Sequence, residues 1–179
     1  MHSRVILSCV VAFCVSGVPA AQAQSPSWGE LSVSPARIDY DLGGVGRLLG
    51  VGELNGIAIR MTRALTSNVN IELRSLFARP RHEFGGGSGT LFMPEAQLQY
   101  HWTVGRLEPF VGAGLGTTAL SSSGLTNWYP TASAAGGTAV RLTDRFAVTS
   151  EVRVHGHGWR FTGATGEFSA GVAWRLPSL

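Results

Sequence analysis

Apolar and polar residues alternate along almost all of this chain beyond residue 28, and the alternation is clearest in Leu107–Leu120. There Leu107, Pro109, Val111, Ala113 and Leu115 form one row, while Glu108, Phe110, Gly112, Gly114, Gly116 and Thr118 form the other. Period two places successive residues on opposite faces of a β-strand. Three glycines in one row leave little from which to build a dry core on that side. The apolar row is therefore read as facing outward, which is what a barrel standing in hydrocarbon requires.

The same pattern predicts eight strands: Glu30–Tyr40, Leu54–Thr62, Val69–Arg79, Thr90–Trp102, Leu107–Leu120, Pro130–Leu142, Phe146–His155 and Gly166–Leu176. In the first, the apolar phase changes at Ser34-Pro35, from Leu31 and Val33 to Ala36, Ile38 and Tyr40. A bulge or strand-end irregularity is expected there, since proline cannot donate to a ladder. The connections alternate. Asp41–Glu53, the glycine-rich Pro80–Gly89, Ser121–Tyr129 and Gly156–Thr165 are long, whereas Arg63–Asn68, Thr103–Arg106 and Thr143–Arg145 are short. Short turns at one rim and long loops at the other describe an up-and-down barrel of the outer-membrane kind, and strands of roughly 9–11 residues suit an oblique crossing. The expected fold class is all-β: an eight-stranded antiparallel up-and-down transmembrane β-barrel.

Residues 1–23 form the other organisational unit. A basic start (His2, Arg4), an apolar run Val5–Val18 and a small-x-small ending at Ala21 and Ala23 have the form of a cleaved export signal. The apolar run falls short of the roughly 20 residues a membrane helix needs. Both cysteines, Cys9 and Cys14, lie within this signal. Residues 24–179, the barrel domain, thus have none to form disulfides. The chain is 44% hydrophobic and 14% charged, with 24 glycines, and the barrel domain lacks an apolar run long enough for a spanning helix. Any crossing must use strands. All 14 basic residues are arginines, scattered along a chain of net charge +3, a distribution that gives no footprint for nucleic acid.

With apolar rows outside, the inward rows hold Arg37, Asp39, Arg60, Glu72, Arg74, Glu95, Arg141, Glu151, Arg153, Glu167 and Arg175, together with Gln97, Gln99, His101 and His155. Charges of both signs in a narrow interior must pair, so a lumen ion-pair network is expected. Eight strands enclose a bore just wide enough for side chains to fill. Aromatic residues gather at strand ends: Tyr100, Trp102, Phe146 and Trp174 near the short turns, and Phe77, Phe92, Trp128 and Tyr129 near the long loops. They read as the two aromatic girdles of a membrane barrel.

Leu65-Thr-Ser-Asn-Val69 leading to Glu72-Leu-Arg74 is echoed by Leu142-Thr-Asp-Arg-Phe146 leading to Glu151-Val-Arg153, which suggests two similar hairpins. These segments, with Pro109-Phe-Val-Gly-Ala-Gly-Leu-Gly116 and the final Phe168-Ser-Ala-Gly-Val-Ala-Trp-Arg175, resemble the small eight-stranded outer-membrane barrels of the OmpA transmembrane-domain and OmpX type. The resemblance implies outer-membrane localisation after export to the periplasm. It also implies lipid or lipopolysaccharide as surroundings and insertion by the barrel-assembly machinery; no cofactor is expected, and the oligomeric state is left open, with a monomer favoured. Such barrels end on an aromatic residue, whereas this chain ends Arg175-Leu-Pro-Ser-Leu179, which shifts that role to Trp174 or Leu176.

Function is expected to be structural in the envelope, or to lie in the loops, without catalysis. Two alternatives stand beside this: a small gated porin-like channel, and a lipid A-modifying barrel enzyme. His155-Gly-His157 with the later Glu167 distantly resembles the lipid A deacylases, but histidine occupies the nucleophile position, so an acyl-enzyme has no hydroxyl to form on. A zinc site of His101, His155 and His157 fails because His101 belongs to the opposite rim. A soluble lipocalin-type barrel would need its apolar rows inside.

Overall fold

The computed structural model describes residues 29–39, 53–80, 90–122, 125–158 and 163–176. They form β1 (Gly29–Asp39), β2 (Glu53–Ala64), β3 (Val69–Pro80), β4 (Thr90–His101), β5 (Leu107–Ser122), β6 (Leu125–Arg141), β7 (Phe146–His157) and β8 (Gly163–Arg175). Each strand pairs antiparallel with its neighbours in sequence, and β8 pairs with β1, so the sheet closes on itself. Closure leaves no sheet edge along the barrel wall, which is the condition for crossing a medium that offers no hydrogen bonds.

The stagger of the ring can be followed residue by residue. Paired positions lead from Gly29 through Arg63, Ile71, Leu98, Ala113, Ala134, Val154 and Gly166 back to β1 at Asp39, ten residues beyond the start. A displacement of this size tilts the strands by roughly 35–45° from the barrel axis.

The short turns share one chemistry. Leu65 and Thr66 each donate from backbone N–H to Val69 O, and Thr66 Oγ1 accepts from the N–H groups of Asn68 and Val69. In the same way Leu142 and Thr143 donate to Phe146 O, while Thr143 Oγ1 accepts from Arg145 and Phe146. The repeated Leu-Thr is thus a threonine cap on a tight hairpin. The turn between β4 and β5 differs: Val104 and Leu107 bond each other across Gly105-Arg106, and Gly105 takes φ +64, which glycine adopts without strain.

Two expectations are corrected. The β1–β2 ladder pairs Gly29–Asp39 with Arg63–Glu53 one to one, so there is no bulge at Ser34-Pro35. Only the β1–β8 ladder lapses there, where proline has no N–H to give. The other correction concerns Ser121–Tyr129, expected as a loop. β5 and β6 instead stay paired to Ser122 and Leu125, forming a hairpin whose β6 side rises past the end of β7 while β5 stays paired with β4 as far as Ser121–Thr90. The expected connections within 40–52 and 81–89 lie outside the described residues, as does the signal segment with Ala21 and Ala23.

The outer wall is apolar. Leu98 (57% exposed), Leu115 (70%), Val152 (58%) and Val172 (60%) stand on it with Ile59, Met61, Leu73 and Phe168. The interior divides in two. On the loop side of β1–β4 it holds an apolar cluster of Ala36, Ile38, Leu54, Ala58, Leu76, Ala78, Leu91 and Met93, with Leu120 packed against it. The remainder of the described interior is mostly polar.

The lumen as candidate functional site

The inward rows of β2, β3, β4, β7 and β8 converge at the middle of the bore. Arg153 on β7 is fully buried and reaches three carboxylates: its Nε donates to Glu151 Oε1 (2.8 Å), its Nη2 to Glu72 Oε1 (2.8 Å) and its Nη1 to Glu95 Oε1. Strands β3 and β7 are four apart in a ring of eight, so the Arg153–Glu72 pair joins opposite walls. Arg60 on β2 reaches β7 as well, donating to Glu151 Oε2 (2.7 Å), and it also meets Ser34 Oγ (2.7 Å) and Thr149 Oγ1 (3.2 Å). Arg74 on β3 pairs with Glu167 on β8.

Glu72 Oε2 accepts from Gln99 Nε2 (2.9 Å), and Glu95 Oε1 accepts from Ser133 Oγ (2.5 Å). Neighbouring donors of this kind make a buried carboxylate tolerable. His155, fully buried, lies between two of the acids, with Nε2 3.0 Å from Glu167 Oε2 and Nδ1 3.6 Å from Glu95 Oε2. This central group counts three guanidiniums, Arg60, Arg74 and Arg153, against four carboxylates, Glu72, Glu95, Glu151 and Glu167.

The glycine row of β5 has a packing reason. A Cβ at Gly112 would fall 2.2 Å from Gln97 Nε2, and one at Gly114 2.5 Å from Glu95 Oε1. The polar side chains of β4 lie over β5, in the space those glycines vacate.

Nearer the short turns a second group forms. Arg141 binds Glu108 with two parallel bonds, Nε to Oε1 (2.9 Å) and Nη2 to Oε2 (2.7 Å), and its Nη1 lies 2.6 Å from Glu30 Oε2. Arg175 approaches Glu108 at 3.7 Å. Glu30 and Glu108 were absent from the expected network, although both alternate in phase with inward neighbours, Ser32 and Phe110. His101 stacks on Phe110 at a ring separation of 5.3 Å, and its Nε2 lies 3.0 Å from Gln99 Oε1. A cavity of about 30 Å³ separates the two groups, lined by Arg60, Glu72, Gln99, Glu108 and Arg141. At the loop-side mouth His157 contacts Thr118 (3.1 Å) and Thr165 (2.9 Å).

Arg37 and Asp39 depart from the expected inward row. Both are exposed on the outer face, while Ala36 and Ile38 face the bore. The alternation never breaks in β1; the lining itself turns from polar to apolar as the strand rises.

Of the aromatic residues, Tyr100, Trp102, Phe146 and Trp174 stand beside the short turns, where Tyr100 packs on Trp102 (5.9 Å) and Phe146 on Trp174 (5.3 Å). Phe77 and Phe92 stack at 4.8 Å towards the other rim. Trp128 is on the outer face of the raised hairpin. Tyr129, paired with the inward Thr118, takes the inner phase and is no part of an outward belt.

No family model matches the chain, and no curated protein matches it. Solved structures do. The crystal structure of Neisserial surface protein A is similar with a TM-score of 0.60 at 15% identity, over 86% of this chain and 99% of that one. The N-terminal β-barrel domain of Pseudomonas aeruginosa OprF gives 0.57 at 19% identity, over 87% and 100%. The outer membrane protein OprG from Pseudomonas aeruginosa gives 0.57 at 11%, over 84% and 96%. The fold is that of the small outer-membrane β-barrels.

Proposed function

We propose that this chain is an integral protein of the bacterial outer membrane, exported by residues 1–23 and inserted by the barrel-assembly machinery, with a structural or surface-interaction role and no catalytic one. Its lumen is closed by the ion-pair network. The observation that carries this reading is Arg153, which spans the bore to Glu72 and Glu95 while wholly excluded from solvent. Solutes have no continuous path past such a plug, and the aromatic pairs beside the turns suit a lipid interface. A deacylase reading is disfavoured because His155 faces the lumen, out of reach of acyl chains in the bilayer.

Two measurements test the proposal. The protein should fractionate with outer membranes and show heat-modifiable gel mobility; extraction without detergent overturns the membrane assignment. Reconstituted in planar bilayers it should pass no resolvable current, and stepwise conductance overturns the sealed lumen.

A further inference from the structure

The small cavity between the two ion-pair groups is lined by Glu30, Thr62 and Glu72, which the ladders place opposite one another on β1, β2 and β3. Its volume is about 30 Å³, and a single water needs roughly 10–15 Å³. There is room for one or two waters and for little else. Arg60 lines the cavity with one nitrogen uncommitted: Nη1 donates to Glu151 and Nη2 to Ser34 and Thr149, while Nε is buried without an acceptor. A buried donor in that condition is costly, so an acceptor belongs beside it.

The lining decides which acceptor. Three carboxylates, Glu30, Glu72 and Glu108, face two guanidiniums, Arg60 and Arg141, so an entering anion meets an excess of its own sign. A cation meets the N–H of Arg60. Water both accepts from Arg60 and donates to the carboxylate of Glu72, and Asn70 lines the same space as a further polar partner.

Access to the cavity is one-sided. Inward from the short turns, the side chains of Arg175, Glu108, Arg141 and Arg60 keep 28%, 17%, 12% and 4% of their surface exposed, and Arg153 keeps none. On the loop side Ile38, Leu76 and Leu91 are buried against one wall, and His155 and Thr165 are buried on the other.

We propose that the short-turn half of the lumen is a hydrated vestibule, that its innermost site holds a water bound between Arg60 Nε and Glu72, and that the loop half is dry. Water, with any proton it carries, then reaches the network from the short-turn side alone. The seal proposed above is the inner wall of this vestibule, and the two fail separately. Stepwise conductance overturns the seal and leaves the site at Arg60 standing; a dry Arg60 overturns the site and leaves the seal.

The test uses protein carrying isotopically labelled arginine, refolded in lipid nanodiscs, with magnetisation transfer from water to the guanidinium N–H groups read by NMR. A cross-peak to water is expected at Arg60 Nε–H and none at Arg153 Nε–H, which donates to Glu151. Asn70→Leu, which puts hydrocarbon into the cavity, should abolish the Arg60 cross-peak, and Thr165→Val, at the loop-side mouth, should leave it. If Asn70→Leu yields no heat-modifiable band, the wild-type spectrum decides alone. The absence of a water cross-peak at Arg60 in folded wild type overturns the proposal. So does equal hydration of Arg153, or an Arg60 signal that shifts when chloride is exchanged for a bulky anion, which would make the occupant an anion.

Discussion

Arg153 and Glu72 stand on opposite walls of the barrel and meet at 2.8 Å in its centre, both out of contact with solvent. A cross-brace of this kind sets the outcome of several substitutions.

Arg153→Met leaves Glu72, Glu95 and Glu151 facing one another without their shared cation. Breaking a buried pair from one side costs about 3–5 kcal/mol. Urea unfolding of the refolded barrel, followed by tryptophan fluorescence, should register that loss. A change below about 1 kcal/mol would mean that the brace contributes little.

Glu95→Gln should be far milder. The central group has one more carboxylate than guanidiniums, and the amide still accepts from Ser133 and Arg153. The expected loss is about 1 kcal/mol or less, comparable to one ordinary hydrogen bond. A loss as large as that of Arg153→Met would show that Glu95 cannot be spared its charge.

Glycine positions separate sharply. At Gly171 a Cβ would sit 2.2 Å from Val33 O and 2.3 Å from Ser34 Oγ, at the β8–β1 seam, whereas at Gly136 the nearest atom is 3.9 Å away. Gly171→Ala should destabilise by about 1–3 kcal/mol and slow closure, since backbone must shift. Gly136→Ala should fold as the wild type does. Recovery of the heat-modifiable band during refolding into detergent measures both.

Position relative to the bilayer should decide the cost of a charge on the outer surface. Val152→Arg, on the apolar wall, should lose about 2–4 kcal/mol in a bilayer. Leu125→Arg, near the tip of the raised hairpin and 72% exposed, should change stability by about 0.5 kcal/mol or less. Equal effects at the two sites would indicate that the apolar wall does not face lipid.

The strand count and the two Leu-Thr hairpins were legible in the sequence, because period-two alternation and a repeated turn are local signals, and the glycine row of β5 marked the inward face of that strand. Arg37 and Asp39 were not. Alternation separates two faces but does not state which one points inward, and the change of lining from Ser32 and Ser34 to Ala36 and Ile38 looks, in sequence, the same as a shift in phase. What separates them is the one-to-one pairing of β1 with β2, a contact between distant segments.

The raised hairpin was missed for a related reason. Ser121–Tyr129 is polar and contains Gly124, which locally reads as a loop, yet β5 and β6 pair residue for residue through Ala119–Trp128 to Ser122–Leu125. Which acid meets which arginine was equally hidden. Glu72 and Arg153 are 81 residues apart, and only the ring brings them together.

The twin threonine-capped turns, joining β2 to β3 and β6 to β7, lie one in each half of the ring, β1–β4 and β5–β8, and the long-range ion pairs tie those halves together. Arg60–Glu151, Arg74–Glu167, Arg153–Glu72, Arg153–Glu95 and Arg141–Glu30 all join one half to the other. A solitary half-barrel would carry bare charges on its concave side and hydrocarbon on its convex side, a combination neither water nor bilayer accommodates. Assembly is therefore all-or-none: the strands gain a habitable surrounding only at the moment the circle is complete.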